Sequence, residues 1–370
     1  TGSIGRQVIE VVRRNSDKFV LAALIARSSG QCFLNQLNAV KPEFAALTDT
    51  GAARSLGEIP CGTTLFAGED GALKAIEDCG ADVVVVACGG FAGLAYSLKA
   101  IELGVPLALA NKETLVCGGE LVMPKADKLM PVDSEHSAIW QCLNFNRNAP
   151  FERLVITASG GAFRGRRWEE LSSVTAAEAL AHPTWNMGAK ITVDSATLLN
   201  KGFEVIEAHH LFNAPYSKIS TVIHPQSIIH SMVRFADGAT LAQLSYPTME
   251  LPIQLALTYP DRLDCALKQL DFTQALSLDF EPLIRKNYPL YDLALSCGEA
   301  GGVLPAALNA ASEVAVNAFL EGRLSFTDIY TVAERVVSST VNNSVVCYGH
   351  LSVCDERSLE SALRAIKNLT

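Results

Sequence analysis

The sequence predicts an α/β chain of several domains: a parallel α/β domain, then an α+β domain, then a small helical bundle. Three observations carry this. Over residues 1–160, short runs of Val, Leu, Ile and Ala, apolar on both faces, alternate with helical patterns, as in a parallel sheet covered by helices. Over residues 160–260 the runs become strand-like and are joined by hairpin signals. Over residues 286–370 the chain is Ala-rich and keeps helical spacing. At 370 residues it is too long for one ordinary core.

Taken in order, Ile4–Asn15 reads as a helix, because Val8, Ile9 and Val12 form one apolar stripe. Strands are expected at Phe19–Ala26, Ala45–Thr48, Asp82–Ala87, Pro106–Ala110, Leu129–Val132 and Leu154–Thr157, and a further helix at Leu94–Leu103. Gly160–Trp168 reads as a polar loop and 194–211 as a helix. Thr221–Ile223, Ser231–Phe235 and Thr240–Ser245 read as strands, the last two linked through Asp237-Gly238. Residues 261–285 have little periodicity and read as a linker. Val314, Ala315, Ala318 and Phe319, then Ile329, Val332, Ala333 and Val336, mark helices of a terminal bundle. The resulting division is 1–133, 134–260, 261–285 and 286–370.

Composition excludes several classes. The apolar run from Val83 to Leu98 is broken by glycines and reads as a strand plus a turn, so no membrane span is expected. A net charge of −9 argues against general nucleic-acid binding while leaving room for a local phosphate pocket. The ten cysteines contain no CxxC or CxxxC pair, which points away from zinc and disulfides and fits a reducing compartment. The chain opens at Thr1 with no apolar strand before its glycine turn, so a short leading segment is expected upstream.

The chemistry gathers at strand ends. Thr1-Gly2-Ser3-Ile4-Gly5 opens a helix whose free N–H groups suit a pyrophosphate, though a plain turn-to-helix start reads equally well. Arg27-Ser28-Ser29 follows the next strand, where an acid would favour NAD. Arg with two hydroxyls suits a 2′-phosphate, hence NADPH; the alternative is an exposed loop. Asn111-Lys112-Glu113 and Asp133-Ser134-Glu135-His136 follow later strands, where open parallel sheets bind ligands.

Asp133 and Glu135, two residues apart in extended chain, repel unless a cation lies between them; otherwise Asp133 or Ser134 caps the following helix. Glu204 strengthens the metal reading, with Asn200 on its helix face and Lys201 beside it. Three oxygen donors point to Mg²⁺ or Mn²⁺. Ser159-Gly160-Gly161 offers a hydroxyl and open backbone to a phosphate, and is not a nucleophile elbow. His182, Ser195, Asn200 and Lys201 add donors. His209, His210, His224 and His230 read as structural.

These residues lie in motifs that resemble the 1-deoxy-D-xylulose 5-phosphate reductoisomerase family: ANKE at 110–113, PVDSEHSAI at 131–139, ASGGAFR at 158–164, HPTWNMGAKITVDSATLLNKGFEVIEA at 182–208 and HPQSIIHSMV at 224–233. The resemblance runs over nearly the whole chain. It implies a Rossmann-like NADPH-binding domain, an α+β catalytic domain with a mobile flap, and a C-terminal helical bundle. It implies reduction and rearrangement of 1-deoxy-D-xylulose 5-phosphate to 2-C-methyl-D-erythritol 4-phosphate, through retro-aldol cleavage and re-aldol joining. Asp133, Glu135 and Glu204 would hold the metal, and Ser159, Ser195, Asn200 and Lys201 the substrate phosphate. His182 and Trp185 would belong to a flap over 179–189, Lys112 would contact substrate hydroxyls, and Ser134 would orient the substrate. Thr1, Gly2, Ser3, Ile4, Asn111 and Glu113 would touch NADPH, with Arg27, Ser28 and Ser29 toward its 2′-phosphate and Met249 on the nicotinamide side. A homodimer is implied, with no nucleic-acid or membrane partner and a cytoplasmic location of the bacterial kind, a plastid type staying open. The competing readings are a metal-free NADPH dehydrogenase of the semialdehyde or homoserine type and a non-catalytic NADPH sensor.

Overall fold

The structure, a computed structural model, describes residues 1–144 and 150–369. The chain divides into two compact units, both assembled from discontinuous segments: residues 1–111, 125–133 and 249–265 form one, and residues 112–124, 134–248 and 266–370 the other.

The first unit begins with α1 (Ser3–Arg14), entered at once from Gly2. Its buried stripe is Val8, Ile9, Val11 and Val12, and Arg13 and Arg14 complement the negative end of the helix dipole. There follow β1 (Ala23–Ala26), α2 (Gly30–Val40), β2 (Phe44–Leu47), α3 (Thr50–Arg54), β3 (Thr64–Ala67), α4 (Gly68–Asp78), β4 (Val84–Val86), α5 (Gly93–Glu102) and β5 (Leu107–Leu109). The chain leaves this unit through α6 (Lys112–Val122) and returns for β6 (Leu129–Pro131). Two three-stranded parallel sheets result, in the orders β1-β2-β3 and β4-β5-β6. The parallel pairing expected from runs apolar on both faces is present. The first strand is shorter than its apolar run, because Val20 is 90% exposed and pairing starts only at Ala23. Phe19, Leu21, Val83 and Val85 pack with the α1 stripe in one apolar cluster.

The second unit holds α6 and α7 (Ser134–Asn144), then β7 (Phe151–Ala158), α8 (Ala176–Ala179), α9 (Ala189–Ala196), α10 (Leu199–Phe212), β8 (Ile219–Ile223), β9 (Ile229–Phe235) and β10 (Thr240–Leu244). After α11 (Glu250–Thr258), which belongs to the first unit, come β11 (Glu281–Pro282), α12 (Pro289–Ala300), α13 (Leu304–Leu320), α14 (Asp328–Ser339) and α15 (Tyr348–Lys367). The sheet order is β10-β9-β7-β8-β11; β9 and β10 form the antiparallel hairpin expected at Asp237-Gly238, with Gly238 at φ +88°. Ile139, Leu154, Ile156, Val205, Ile219 and Val233 join α7, the sheet and α10 in one core. In the terminal bundle α13 is the buried centre. Its Ala306, Ala307, Ala310, Ala311, Ala315 and Ala318 let α14 and α15 approach closely. Among the described residues no helix is long and apolar enough to cross a membrane.

The helix expected over 194–211 is broken. α9 ends at Ala196 and α10 starts at Leu199, with Leu198 in the left-handed region at φ 55°. The break lets α9 and α10 leave one point in different directions, both carrying candidate site residues.

Candidate functional site

β7 ends at Ala158, and the chain turns through Ser159, Gly160 and Gly161, the glycines at φ +89° and +68°. Both conformations favour glycine, and a Cβ on Gly161 would lie 2.5 Å from the Ser195 carbonyl oxygen. The turn therefore packs directly on α9, and this proximity brings Ser159 and Ser195 to one place. His182 joins them: its Nε2 lies 3.0 Å from Ser159 Oγ and 3.2 Å from Ser195 Oγ. Its Nδ1 accepts from the backbone N–H of Trp185 at 2.9 Å and of Thr184 at 3.2 Å. A nitrogen that accepts twice carries no hydrogen, so the neutral ring has its proton on Nε2, facing the two hydroxyls. Burial, then the nearby Lys201 ammonium, lowers the His182 pKa to about 4. Beside this group lies a cavity of about 390 Å³ lined by Ser159, Gly161, Arg164, Pro183, Pro225 and Gln226. Three hydroxyl or imidazole donors, backbone held open by glycine, and a cavity near the small end of ligand sites suit a phosphate on a short chain.

A second group lies at the amino end of α7 and along α10. Ser134, Glu135 and His136 are buried in the first turn of α7, and Lys201, Glu204 and Glu207 are buried on α10. Glu135 and Glu204 each offer a carboxylate oxygen within 4.8 Å of the other. The Lys201 ammonium lies between them, bonded to Glu135 and at 2.8 and 3.0 Å from the two Glu204 oxygens. Burial alone would lower the Lys201 pKa, but the two carboxylates outweigh it and hold the ammonium above its ordinary value. Asn200 Nδ2 donates to Glu204 at 2.6 Å, and the Ser134 hydroxyl donates to Glu135. Asp133 is the residue from which the chain enters α7, two positions before Glu135 and half-buried. Two buried carboxylates side by side repel unless positive charge stands between them, and here Lys201 is that charge. A hard divalent cation with oxygen ligands fits the same donors. Asn200 and Lys201, expected at the phosphate, are directed in this structure to the carboxylates.

Lys112, at the start of α6, pairs with Glu207 at 2.8 Å and lies 3.8 Å from Glu204. Trp185 packs edge-on against His230, ring centroids 6.1 Å apart, and His230 Nε2 lies 3.0 Å from Ser245 Oγ. Sequence reasoning did not single out Glu207 or His136 and set His230 aside as structural. The available signal was helical spacing, since Glu207 is one turn beyond Glu204 on the same face.

In the first unit, Thr1, Gly2, Ser3 and Ile4 surround the amino end of α1. Arg27, Ser28 and Ser29 are exposed directly after β1. Asn111, 1% exposed after β5, donates to the carbonyls of Cys88 and Gly90 at 3.0 Å each, and Gly93 is required beside it, since a Cβ there would meet the Asn111 side chain at 2.3 Å. Asn111 thus shapes the loop after β4. Met249 precedes α11 and packs on the cluster that includes the α1 stripe. Glu113 belongs to the second unit, in the first turn of α6 within electrostatic reach of Lys190 and Asp194.

Three family models match the chain in succession: 1-deoxy-D-xylulose 5-phosphate reductoisomerase over residues 1–119, its C-terminal domain over 129–212, and the DXP reductoisomerase C-terminal domain over 244–365. The chain is 46% identical over 348 residues to the 1-deoxy-D-xylulose 5-phosphate reductoisomerase of Exiguobacterium sibiricum, which covers 92% of this chain and 91% of that protein. It is 48% identical over 343 residues to that of Geobacillus kaustophilus, covering 91% and 90%. It is similar to the solved reductoisomerase from Zymomonas mobilis in complex with NADPH, at TM-score 0.91 and 37% identity, covering 99% of this chain and 97% of that one. A DOX-P reductoisomerase in complex with NADPH, fosmidomycin and magnesium superposes at TM-score 0.93 and 33% identity, covering 100% and 97%.

Proposed function

The chain belongs to the 1-deoxy-D-xylulose 5-phosphate reductoisomerase family, and from that premise we propose which of its residues carry the reaction. It is an NADPH- and divalent-metal-dependent enzyme that converts 1-deoxy-D-xylulose 5-phosphate to 2-C-methyl-D-erythritol 4-phosphate. The paired carboxylates of Glu135 and Glu204 around a buried positive charge carry the assignment of the catalytic centre. They also weigh against a metal-free dehydrogenase and against an NADPH sensor, neither of which needs them.

Asp133, Glu135 and Glu204 hold the divalent cation. A bound cation would supply Lewis-acid stabilisation of negative charge on substrate oxygens during skeletal rearrangement by retro-aldol cleavage and re-aldol joining. Ser159, Ser195, Asn200 and Lys201 would hold the substrate phosphate, with His182 as a further donor. Lys112 donates to the substrate hydroxyls and Ser134 orients them. The loop 179–189 closes as a flap, Trp185 excluding water from the rearranging fragments. Thr1, Gly2, Ser3, Ile4, Asn111 and Glu113 contact NADPH, Arg27, Ser28 and Ser29 take its 2′-phosphate, and Met249 lies against the nicotinamide. Functionally the chain then divides into an NADPH-binding part at 1–133, a catalytic part at 134–260, a linker at 261–285 and a helical part at 286–370.

A homodimer completes the proposal: Phe272, Phe280 and Ile284 expose apolar side chains that a second copy would cover, and sedimentation velocity reads the mass directly. A cytoplasmic location accords with the bacterial source of the relatives.

The test is NADPH oxidation with 1-deoxy-D-xylulose 5-phosphate. Turnover is expected with Mg²⁺ or Mn²⁺, abolished by EDTA and restored by added metal. The Glu204→Gln variant should lose on the order of a hundredfold or more in kcat with its fold intact. Turnover that persists in EDTA, or a near-normal rate for Glu204→Gln, would refute the metal assignment.

A further inference from the structure

Glu207 is buried at 3% exposure and belongs to none of the roles above. Its carboxylate faces the two elements packed on α10 at this level. From α6, Lys112 Nζ approaches to 2.8 Å; from α7, His136 Nδ1 lies 3.9 Å away. His136 is fully buried, stacks on Phe212, and its Nε2 donates to the Glu204 backbone oxygen at 2.9 Å. The carboxylate one turn earlier, Glu204, is already engaged by Asn200 and Lys201 and stands 3.8 Å from Lys112. Of the two α10 carboxylates, Glu207 is the one that Lys112 bonds.

A buried ion pair seldom adds stability over apolar residues of the same volume, so its presence calls for another reason. Lys112 has a long flexible side chain and a compact charge that would otherwise collapse onto Glu204. Glu207 withdraws the ammonium from the metal ligands while keeping it within reach of their surroundings. Resting on the reductoisomerase reading, we propose that Glu207 is a positioning residue. It holds Lys112 aside from the Glu135–Glu204 pair, aimed for substrate, and its bond to Lys112 ties α10 to α6 at the site.

The test is a double-mutant cycle on the full-length protein with Glu207→Gln, Lys112→Met and both together. Glu207→Gln should lower kcat on the order of ten- to a hundredfold, as expected for loss of a charge-assisted bond in a site, with the NADPH Kd unchanged. In the Lys112→Met background it should change kcat by less than about twofold, because the group it positions is gone. Equal losses in the two backgrounds, or wild-type kcat in Glu207→Gln, would overturn the proposal. Should Glu207→Gln fail to fold, Glu207→Asp, which keeps the charge and withdraws it by one methylene, replaces it in the same cycle and is read the same way. Acetylation of Lys112 by acetic anhydride, followed by peptide mass, reads the pairing without turnover, and is expected to be faster in Glu207→Gln than in wild type. A wild-type protein that fails to turn over the substrate removes the reductoisomerase reading instead. The labelling then still decides whether Glu207 holds Lys112, an unchanged rate counting against it.

Discussion

His182 illustrates how backbone and charge together select one form of a side chain. Two backbone N–H groups occupy Nδ1, two hydroxyls face Nε2–H, and burial with the Lys201 charge keeps the ring neutral down to about pH 4. A phosphate dianion arriving at Ser159 and Ser195 would oppose both causes and favour the imidazolium. The expected outcome is a ring that titrates near 4 in the free protein and distinctly higher with inorganic phosphate, followed by NMR of the imidazole carbons. A midpoint near the ordinary histidine value that phosphate does not move would remove His182 from the phosphate group. The folded pKa lies below the unfolded one, so between about 6.5 and 4 the unfolded chain takes up a proton that the folded chain refuses. Acidification through that window therefore costs stability, and His210, also lowered to about 4 chiefly by burial, acts in the same direction. At this scale the sequence is most readable in the grouping of Glu135 with Glu204 and of Ser159 with Ser195, residues that the structure brings together. It was least readable for Glu207, whose partner Lys112 lies 95 positions away and is brought near only by the packing of α6 on α10.

The segment between α8 and α9 shows what one short loop contributes. It carries both His182 and Trp185, and the indole packs against the buried His230 ring. An aromatic pair of this kind contributes about 0.5–1.5 kcal/mol beyond its buried area. Trp185→Ala is accordingly expected to raise the substrate KM by about tenfold, the equivalent of about 1.4 kcal/mol, while the NADPH Kd stays within twofold. Steady-state kinetics beside an NADPH fluorescence titration separates these, and equal losses in both would contradict the flap role. The neighbouring elements explain why sequence reasoning ran 194–211 together. Its apolar positions are compatible with one helix, and the break at Leu198 has no local breaker such as glycine or proline. The turn at Gly160–Gly161 presses on the Ser195 carbonyl, so the constraint comes from residues 35 positions earlier. The stripes of α2 and α4 are likewise hard to see in the sequence, because polar residues and glycines blur them. β7, β8, β9 and β10, with plain period or hairpin signals, were legible to within a few residues.

Across the whole molecule, chain order and compact units do not coincide. The first unit is completed by residues 249–265, which follow residues 134–248 of the second unit in sequence. α11 returns to pack on α1, and Ile253 and Ala256 join Val8, Val11 and Val12 in one cluster, fixed at its rim by the Arg14–Glu250 pair at 2.9 Å. Composition and periodicity point to an α/β unit near the start of the chain but not to the return, because the apolar residues of α11 fit the interior of either unit equally well. The arrangement makes the amino end of α1, where Thr1 to Ile4 are proposed to receive NADPH, dependent on a helix some 240 positions away. Ile253, 1% exposed, is the side chain that tests this. Ile253→Ala removes buried methyl groups from the cluster and should destabilise the first unit by about 2–5 kcal/mol. Its readouts are a lower urea midpoint by circular dichroism and a weaker NADPH Kd by fluorescence titration, with phosphate binding at His182 unaffected by NMR. If NADPH affinity and the midpoint both stay at wild-type values, α11 is a passenger on α1 and the dependence is wrong. If phosphate binding falls in step with NADPH binding, the damage is global rather than confined to the unit that α11 completes.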